Sequence, residues 1–216
     1  MSTKGKAYEG DDITVYYDVK RCIHAAECVR GLPEVFDPDR RPWIDATQDE
    51  NDALAEVIHR CPTGALHYTR TDGGAEEPTP DHNTIQVGPD GPLYVRGDVE
   101  VVTPEGSTIV EDTRIALCRC GASKHKPFCD NSHKNIDFAH DGRLGAGGVK
   151  AGTDATGPGL RIQPAENGPL LLQGPFTLTG ADDETRDGGT AALCRCGASA
   201  NKPFCDGSHR EVGFEG

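Results

Sequence analysis

One cysteine pattern occurs twice in this chain, and the duplication constrains its architecture more than any other feature. Cys118-Arg-Cys-Gly-Ala-Ser-Lys-His-Lys-Pro-Phe-Cys-Asp-Asn-Ser-His133 returns as Cys194-Arg-Cys-Gly-Ala-Ser-Ala-Asn-Lys-Pro-Phe-Cys-Asp-Gly-Ser-His209, so both copies read C-x-C-x8-C-x3-H. The likeness extends upstream. Ile85-Gln86 and Gly91-Pro92-Leu93 correspond to Ile162-Gln163 and Gly168-Pro169-Leu170 at an offset of 77, against 76 for the cysteines. Repetition over that length marks a duplicated structural module. The other three cysteines, Cys22, Cys28 and Cys61, form a third set, so none of the nine is left over.

Nine is odd, and Met1–Gly10 has no apolar stretch of the kind that heads an exported chain. A disulfide scaffold is therefore a poor explanation, and the expected location is cytoplasmic. Spaced thiolates in a reducing compartment read instead as metal ligands. With 27 glycines and 15 prolines among 216 residues, several small domains fit better than one deep core. The net charge of −13 argues against nucleic acid as a partner, and no apolar run is long enough to cross a membrane.

The pattern of residues 12–18 predicts a strand, and Ala65–Tyr68 a return strand. Between them Thr47 and Glu50 have the spacing of a capping box, and Leu54, Val57, Ile58 and Cys61 follow at helical intervals. That predicts a helix over 48–60, stopped by Pro62. Leu93–Arg96, Val99–Val102, Leu170–Leu172 and Phe176–Leu178 read as short strands separated by glycine turns. The expected domains are 1–70, a linker over 71–83, a first module over 84–138, a Gly-rich flexible tether over 139–160 and a second module over 161–216.

Three thiolates and an imidazole suit either a tetrahedral zinc or one iron–sulfur cluster. The C-x-C pair departs from the wider spacing usual in zinc knuckles and suits two thiolates on one iron. Recurrence of the set speaks against core cysteines beside a surface histidine. Both segments resemble the CDGSH, or mitoNEET-like, iron–sulfur family, whose pattern is C-x-C-x2-S/T-x3-P-x-C-D-G-S/A/T-H. The resemblance implies two 2Fe–2S clusters, one held by Cys118, Cys120, Cys129 and His133, the other by Cys194, Cys196, Cys205 and His209. The second copy follows the pattern throughout, whereas the first has Asn131 in place of Gly. Asparagine tolerates left-handed backbone, so the turn is expected to form there too. Single-copy members of the family form homodimers. The tandem copy therefore implies a monomer that builds the pseudo-dimer within one chain, with internal pseudo-two-fold symmetry.

Cys22-x5-Cys28 followed by Cys61-Pro62 resembles a divergent single-cluster bacterial ferredoxin over residues 12–68, with Ala25 where the central cysteine would stand. Three cysteines imply a 3Fe–4S cluster on Cys22, Cys28 and Cys61, or a 4Fe–4S cluster with a non-protein fourth ligand. A zinc or core role for the three also stays open. His24 lies one position off the missing cysteine and reads better as a hydrogen-bond donor or an exposed side chain. Arg119, Lys124, Lys126, Arg195, Lys202 and Arg210 put positive charge near the sites, or are simply solvated surface charge.

The expected fold class is α+β: a small ferredoxin-like N-terminal domain followed by two β-rich modules packed as a pseudo-dimer. The expected function is electron transfer through three iron–sulfur centres. Cluster storage and transfer, or redox sensing, is the alternative, and no catalytic motif suggests an enzyme. The partner would be a redox protein or an apo-acceptor, not nucleic acid and not a membrane.

Overall fold

The computed structural model describes residues 5–152 and 159–216. It divides into two compact units, residues 1–78 and 79–216. The fold is mostly β, and among the described residues helix is confined to two short segments and one 3-10 turn.

In the first unit β1 (Lys6–Glu9), β2 (Ile13–Tyr17) and β3 (Leu66–Arg70) form an antiparallel sheet in the order β1-β2-β3. Helices α1 (Glu27–Gly31) and α2 (Asn51–His59) lie between β2 and β3 in the chain. Leu54, Ala55, Val57 and Ile58 make one buried face of α2 and pack with Val15, Val35, Phe36 and Leu66. The helix starts later than the capping-box spacing predicts. Asp45 takes the Thr47 hydroxyl (2.7 Å) and the Gln48 side-chain amide (3.0 Å) into a turn of its own. Thr47 is thus diverted, and Glu50 becomes the N-cap with no side-chain cap bond. The composition of 71–83 suggests a linker, yet Glu77 is buried against His67 at 2.8 Å. Asn83 is buried in the second unit, where its amide donates to Pro175 O (2.8 Å) and its carbonyl accepts from Asp98 N (2.9 Å).

The second unit contains β4 (Thr84–Val87), β5 (Leu93–Val102), β6 (Thr108–Leu117), β7 (Val149–Lys150), β8 (Leu160–Pro164), β9 (Leu170–Thr179) and β10 (Thr185–Leu193). Strands β5 and β9 each run unbroken where separate short strands were expected. The glycines within them are accommodated; β5, for example, shifts register against β6 between Arg96 and Val99. Alternation along β5 and β9 turns Leu93, Val95, Val99, Val101, Leu170, Leu172, Phe176 and Leu178 inward to a single core.

The two repeats interlock. Strand β4 is antiparallel to β5 of its own repeat and parallel to β9 of the other. Strand β8 is antiparallel to β9 and parallel to β5. These four pairings close a ring in which each repeat lends its first strand to its neighbour. Strands β6 and β10 flank the ring, on β5 and β9 respectively.

The expected tether over 139–160 is bound along much of its described part. Gly145 N donates to Lys202 O (3.0 Å), Ala181 N donates to Gly142 O (3.0 Å), and β7 pairs with β10. Residues 153–158 of that segment lie outside the described residues. No helix among the described residues is long and apolar enough to cross a membrane.

Candidate metal centres

Each repeat folds its cysteine segment into a tight loop at the end of a core strand. After β6 the chain turns and comes back antiparallel: Leu117 bridges Phe128, Cys118 N donates to Pro127 O (2.8 Å), and Cys129 N donates to Ala116 O (2.9 Å). The second repeat matches it, with Leu193 bridging Phe204, Cys194 N on Pro203 O (2.7 Å) and Cys205 N on Ala192 O (2.9 Å). Buried Ser123 and Ser199 brace the loops from inside by donating to Phe128 O (2.6 Å) and Phe204 O (2.7 Å).

The aspartates of the motif act as staples. Asp130 accepts from Lys124 N (2.8 Å) and Ser132 N (3.0 Å), and Asp206 from Ala200 N (2.8 Å) and Ser208 N (3.0 Å). Partial burial works to raise the Asp130 pKa, but the hydrogen bonds from Ser132 and Lys124 prevail and hold it down at about 2. Asn131 takes a left-handed backbone, φ 70°, where Gly207 of the second copy has φ 96°. The asparagine thus fills the glycine position without changing the turn, as its tolerance for that region predicts.

The loops bring the four side chains of each set together as two pairs. Cys118 Sγ lies 3.7 Å from Cys120 Sγ, and Cys129 Sγ lies 3.5 Å from His133 Nδ1. In the second copy the distances are 3.7 Å for Cys194–Cys196 and 3.4 Å for Cys205–His209. Two sulfurs each about 2.3 Å from one tetrahedral metal stand about 3.75 Å apart, and a sulfur–nitrogen pair slightly less. Each pair therefore has the spacing of two ligands on one metal. Among the described residues, no group of three or more His, Cys, Asp or Glu side chains is gathered around a single ion position.

The thiols are set up for a cation. The hydrogen bond between the Cys118 and Cys120 thiols lowers the Cys118 pKa to about 6 and, with burial, raises that of Cys120. Burial pushes the Cys129 thiol up to about 11 against a hydrogen bond from Asn131 N, which lies 3.4 Å from its sulfur. In the second copy it is a different cysteine that receives an amide, with Ala198 N donating to Cys196 Sγ at 3.4 Å. The two copies differ in exposure. Cys129 and His133 are buried, while Cys205 and His209 are half-buried and line an open groove of about 620 Å³ with Arg210 and Phe214.

The two loops also meet each other. Gly121 and Gly197 both have φ +83°, and a Cβ on either would fall 2.6 Å from Cys196 O or 2.7 Å from Cys120 O respectively. Backbone thus touches backbone between the two ligand sets. Of the six basic residues near the sites, Arg119 and Arg195 prove to be buried, at 1% and 3% exposure. Each lies against an aromatic ring, Arg119 5.2 Å from the Phe138 centroid and Arg195 5.1 Å from that of Phe214. The sequence reading missed these phenylalanines, although their separation of 76 residues repeats the cysteine offset.

Cys22, Cys28 and Cys61 line one pocket of the first unit, together with Tyr17, Trp43 and Ala25. Cys61 reaches it because α2 ends just before, with Cys61 N donating to Ile58 O (3.0 Å). Burial, then the neighbouring Cys61 charge, push the Cys28 thiol up to about 11. Thr63 Oγ1 stands 3.6 Å from Cys61 Sγ. Burial and a hydrogen bond with Cys22 raise the Tyr17 phenol, which therefore stays protonated beside that sulfur. Ala25 faces the pocket where a fourth cysteine would stand, whereas His24 is exposed and does not line it.

Residues 8–71 match the family model described as "Divergent 4Fe-4S mono-cluster". Residues 90–134 and 167–210 each match the model described as "Iron-binding zinc finger CDGSH type". The chain belongs to the divergent 4Fe–4S mono-cluster family and carries two CDGSH modules. It is an iron–sulfur protein in both parts. The mono-cluster part is similar to the protein named "Uncharacterized protein YjdI" of Escherichia coli (strain K12), 38% identical over 63 residues that cover 29% of this chain and 83% of that protein. The protein of the same name in Escherichia coli O157:H7 is equally similar, 38% identical over 63 residues. No solved structure matches the chain. Each CDGSH module brings its three cysteines and one histidine together as two close pairs, and the mono-cluster domain brings its three cysteines to one pocket.

Proposed function

We propose that this iron–sulfur protein transfers electrons, holding a 2Fe–2S cluster in each CDGSH module and a 3Fe–4S cluster, or alternatively a 4Fe–4S cluster, on Cys22, Cys28 and Cys61. The paired spacing of the CDGSH ligands is the observation that carries this reading, because two ligands on each of two metals are what a binuclear cluster requires. A bound cluster supplies one-electron redox chemistry. The chain supplies the rest. Cys118 and Cys120 hold one end of the first site, and Cys129 and His133 the other. The amide groups of Asn131 and Ala198 direct hydrogen-bond donors at the sulfurs, and the aspartate staples fix the loops. In the first unit Ala25 leaves the fourth corner without a protein ligand.

The abutting loops and exchanged strands support reading the second unit as a pseudo-dimer within one chain, and hence the protein as a monomer. The partner would be a redox protein, the location cytoplasmic, and the chain itself not an enzyme. The first test is iron and acid-labile sulfide content, followed by electron paramagnetic resonance before and after reduction. Expected are sulfide in amounts matching three clusters, a paramagnetic 3Fe–4S signal in the oxidised protein, and two 2Fe–2S signals after reduction. Zinc without sulfide would sink the proposal. Silence of the oxidised protein would favour 4Fe–4S in the first unit.

The openness of the second site favours a second reading, in which the cluster bound there is passed to an apo-acceptor. Mixing the loaded protein with an apo-ferredoxin moves iron and sulfide in that case, and only electrons otherwise.

The same asymmetry has a consequence in acid. Burial holds the His133 pKa below the ordinary histidine value of 6.5, so Nδ1 stays unprotonated, and able to ligate, further into acid. A histidine with a depressed pKa costs stability only as pH falls below the unfolded value and toward the lower folded one. As pH falls below about 6.5, the first site, whose histidine is held below that value, is expected to keep its visible absorbance longer than the second. A single acid transition shared by both sites would contradict this order, and His209→Ala identifies which phase belongs to which repeat.

A further inference from the structure

Thr63 lines the pocket of Cys22, Cys28 and Cys61, two residues after the last of them, and is buried at 3% exposure. A hydroxyl buried so close to the ligands has to find its hydrogen bonds there. The local chain fixes where it points. Gly64, with left-handed backbone at φ 63°, turns the chain back, and Ala65 N donates to Thr63 Oγ1 at 3.2 Å. The guanidinium of Arg21, the residue before Cys22, donates to Thr63 O and holds the other side of the residue. Ala65 N thus occupies one lone pair of Oγ1, and the hydroxyl proton is directed elsewhere. Cys61 Sγ lies 3.6 Å away, a hydrogen-bonding length for an atom as large as sulfur.

As a free thiol, Cys61 either donates or accepts in this contact. As a cluster ligand it is a thiolate, with no proton to give and a negative charge that favours a donor. One direction is then open: Thr63 Oγ1–H donates to Cys61 Sγ, in a charge-assisted bond that burial strengthens. The buried hydroxyls of the CDGSH loops are used differently. Ser123 and Ser199 give their protons to the backbone carbonyls of Phe128 and Phe204.

We propose that Thr63 is a positioning residue of the first unit, whose hydroxyl donates to Cys61 Sγ and raises the reduction potential of the cluster held there. The inference rests on the reading above of a cluster on Cys22, Cys28 and Cys61. Reduction puts more negative charge on the ligand sulfurs, so a donor aimed at one of them stabilises the reduced state more than the oxidised one. Hydrogen bonds to the sulfurs are among the levers that set iron–sulfur potentials.

The test is a redox titration of the full chain, followed by electron paramagnetic resonance, in the parent, Thr63→Val and Thr63→Ser. Valine keeps the branched shape and removes the proton. The expected result is a fall of the first-unit midpoint equivalent to about a fivefold change in its oxidised-to-reduced ratio, or about 40 mV for one electron. Thr63→Ser keeps the hydroxyl and should leave that ratio within about twofold of the parent. The CDGSH signals, read in the same sample, should not move, because the substitution lies in the other unit. Thr63→Ala, which leaves space in place of a methyl group, should shift the midpoint in the same direction as valine. An unmoved or raised midpoint in both variants, or no recovery with serine, overturns the proposal and leaves the cluster reading intact. Failure of both the valine and the alanine variant to hold a cluster also overturns it, since the residue would then serve the loop alone. Absence of sulfide from the parent protein overturns the cluster reading itself.

Discussion

Valine in place of Gly121 is expected to destabilise the CDGSH unit by about 3–5 kcal/mol and to prevent both sites from filling. The backbone there is left-handed, φ +83°, a region that costs a side-chain-bearing residue roughly 1–2 kcal/mol. The rest comes from contact. Any Cβ would lie 2.6 Å from Cys196 O and 3.0 Å from Cys196 C, and these are backbone atoms of the other ligand loop. A flexible side chain could turn away, but this peptide moves only if Cys196 moves with it. Gly213→Ala is the internal control, since Gly213 has φ +61° and open space around its Cβ position. It should cost only about 1 kcal/mol. Urea unfolding followed by far-ultraviolet circular dichroism measures both. Equal losses for the two variants would show that the loops do not press on one another.

The second large effect tests the exchanged strands. Ile85 is fully buried on β4, opposite Val95 of its own repeat and beside Leu178 of the other. Ile85→Ala removes side-chain volume from a packed core and should cost about 2–5 kcal/mol. The informative readout is where the damage appears. If β4 served one repeat, only the site at Cys118–His133 would become labile. Because β4 lies between β5 and β9, both sites should release iron to a chelator faster, and to a similar degree. Loss confined to the first site would mean that the two repeats are mechanically independent.

Much of the chemistry was legible in the sequence because metal binding restricts residue type and spacing at once. Cys118, Cys120, Cys129 and His133 could be picked out as a set without knowing any strand, and duplication removed chance as an explanation. The pairing of strands was a different matter. Alternation in Leu93–Val102 shows which side chains face inward, but period two carries no information on which strand lies alongside. The partner of Thr84–Gln86 in β9 is Thr177–Thr179, far away in the chain. Strand β10 escaped notice because Gly188-Gly189 reads as a break, whereas in the structure the pairing shifts register there and continues. The helix start was misplaced because Thr47 had a competitor for its hydroxyl in Asp45, two residues earlier. Arg119 and Arg195 were indistinguishable from surface charge, since the groups that hold them, such as Gly88, Gly91 and His140 for Arg119, come from segments distant in the chain.

The ring of β4, β5, β8 and β9 bears on how the protein is made. A ribosome delivers the N-terminal side of the chain first, and the whole of the first unit has been made once residue 78 is out. Strand β4 follows directly, but one of its edges stays unsatisfied until Thr177–Thr179 has been synthesised. At roughly 5–20 residues per second, that wait is on the order of 5–20 s. During it the nascent first repeat has its cysteines in hand but lacks the strand that completes the ring. Iron delivered early would meet an unfinished site, so the topology ties loading of the first CDGSH module to synthesis of β9 in the second repeat.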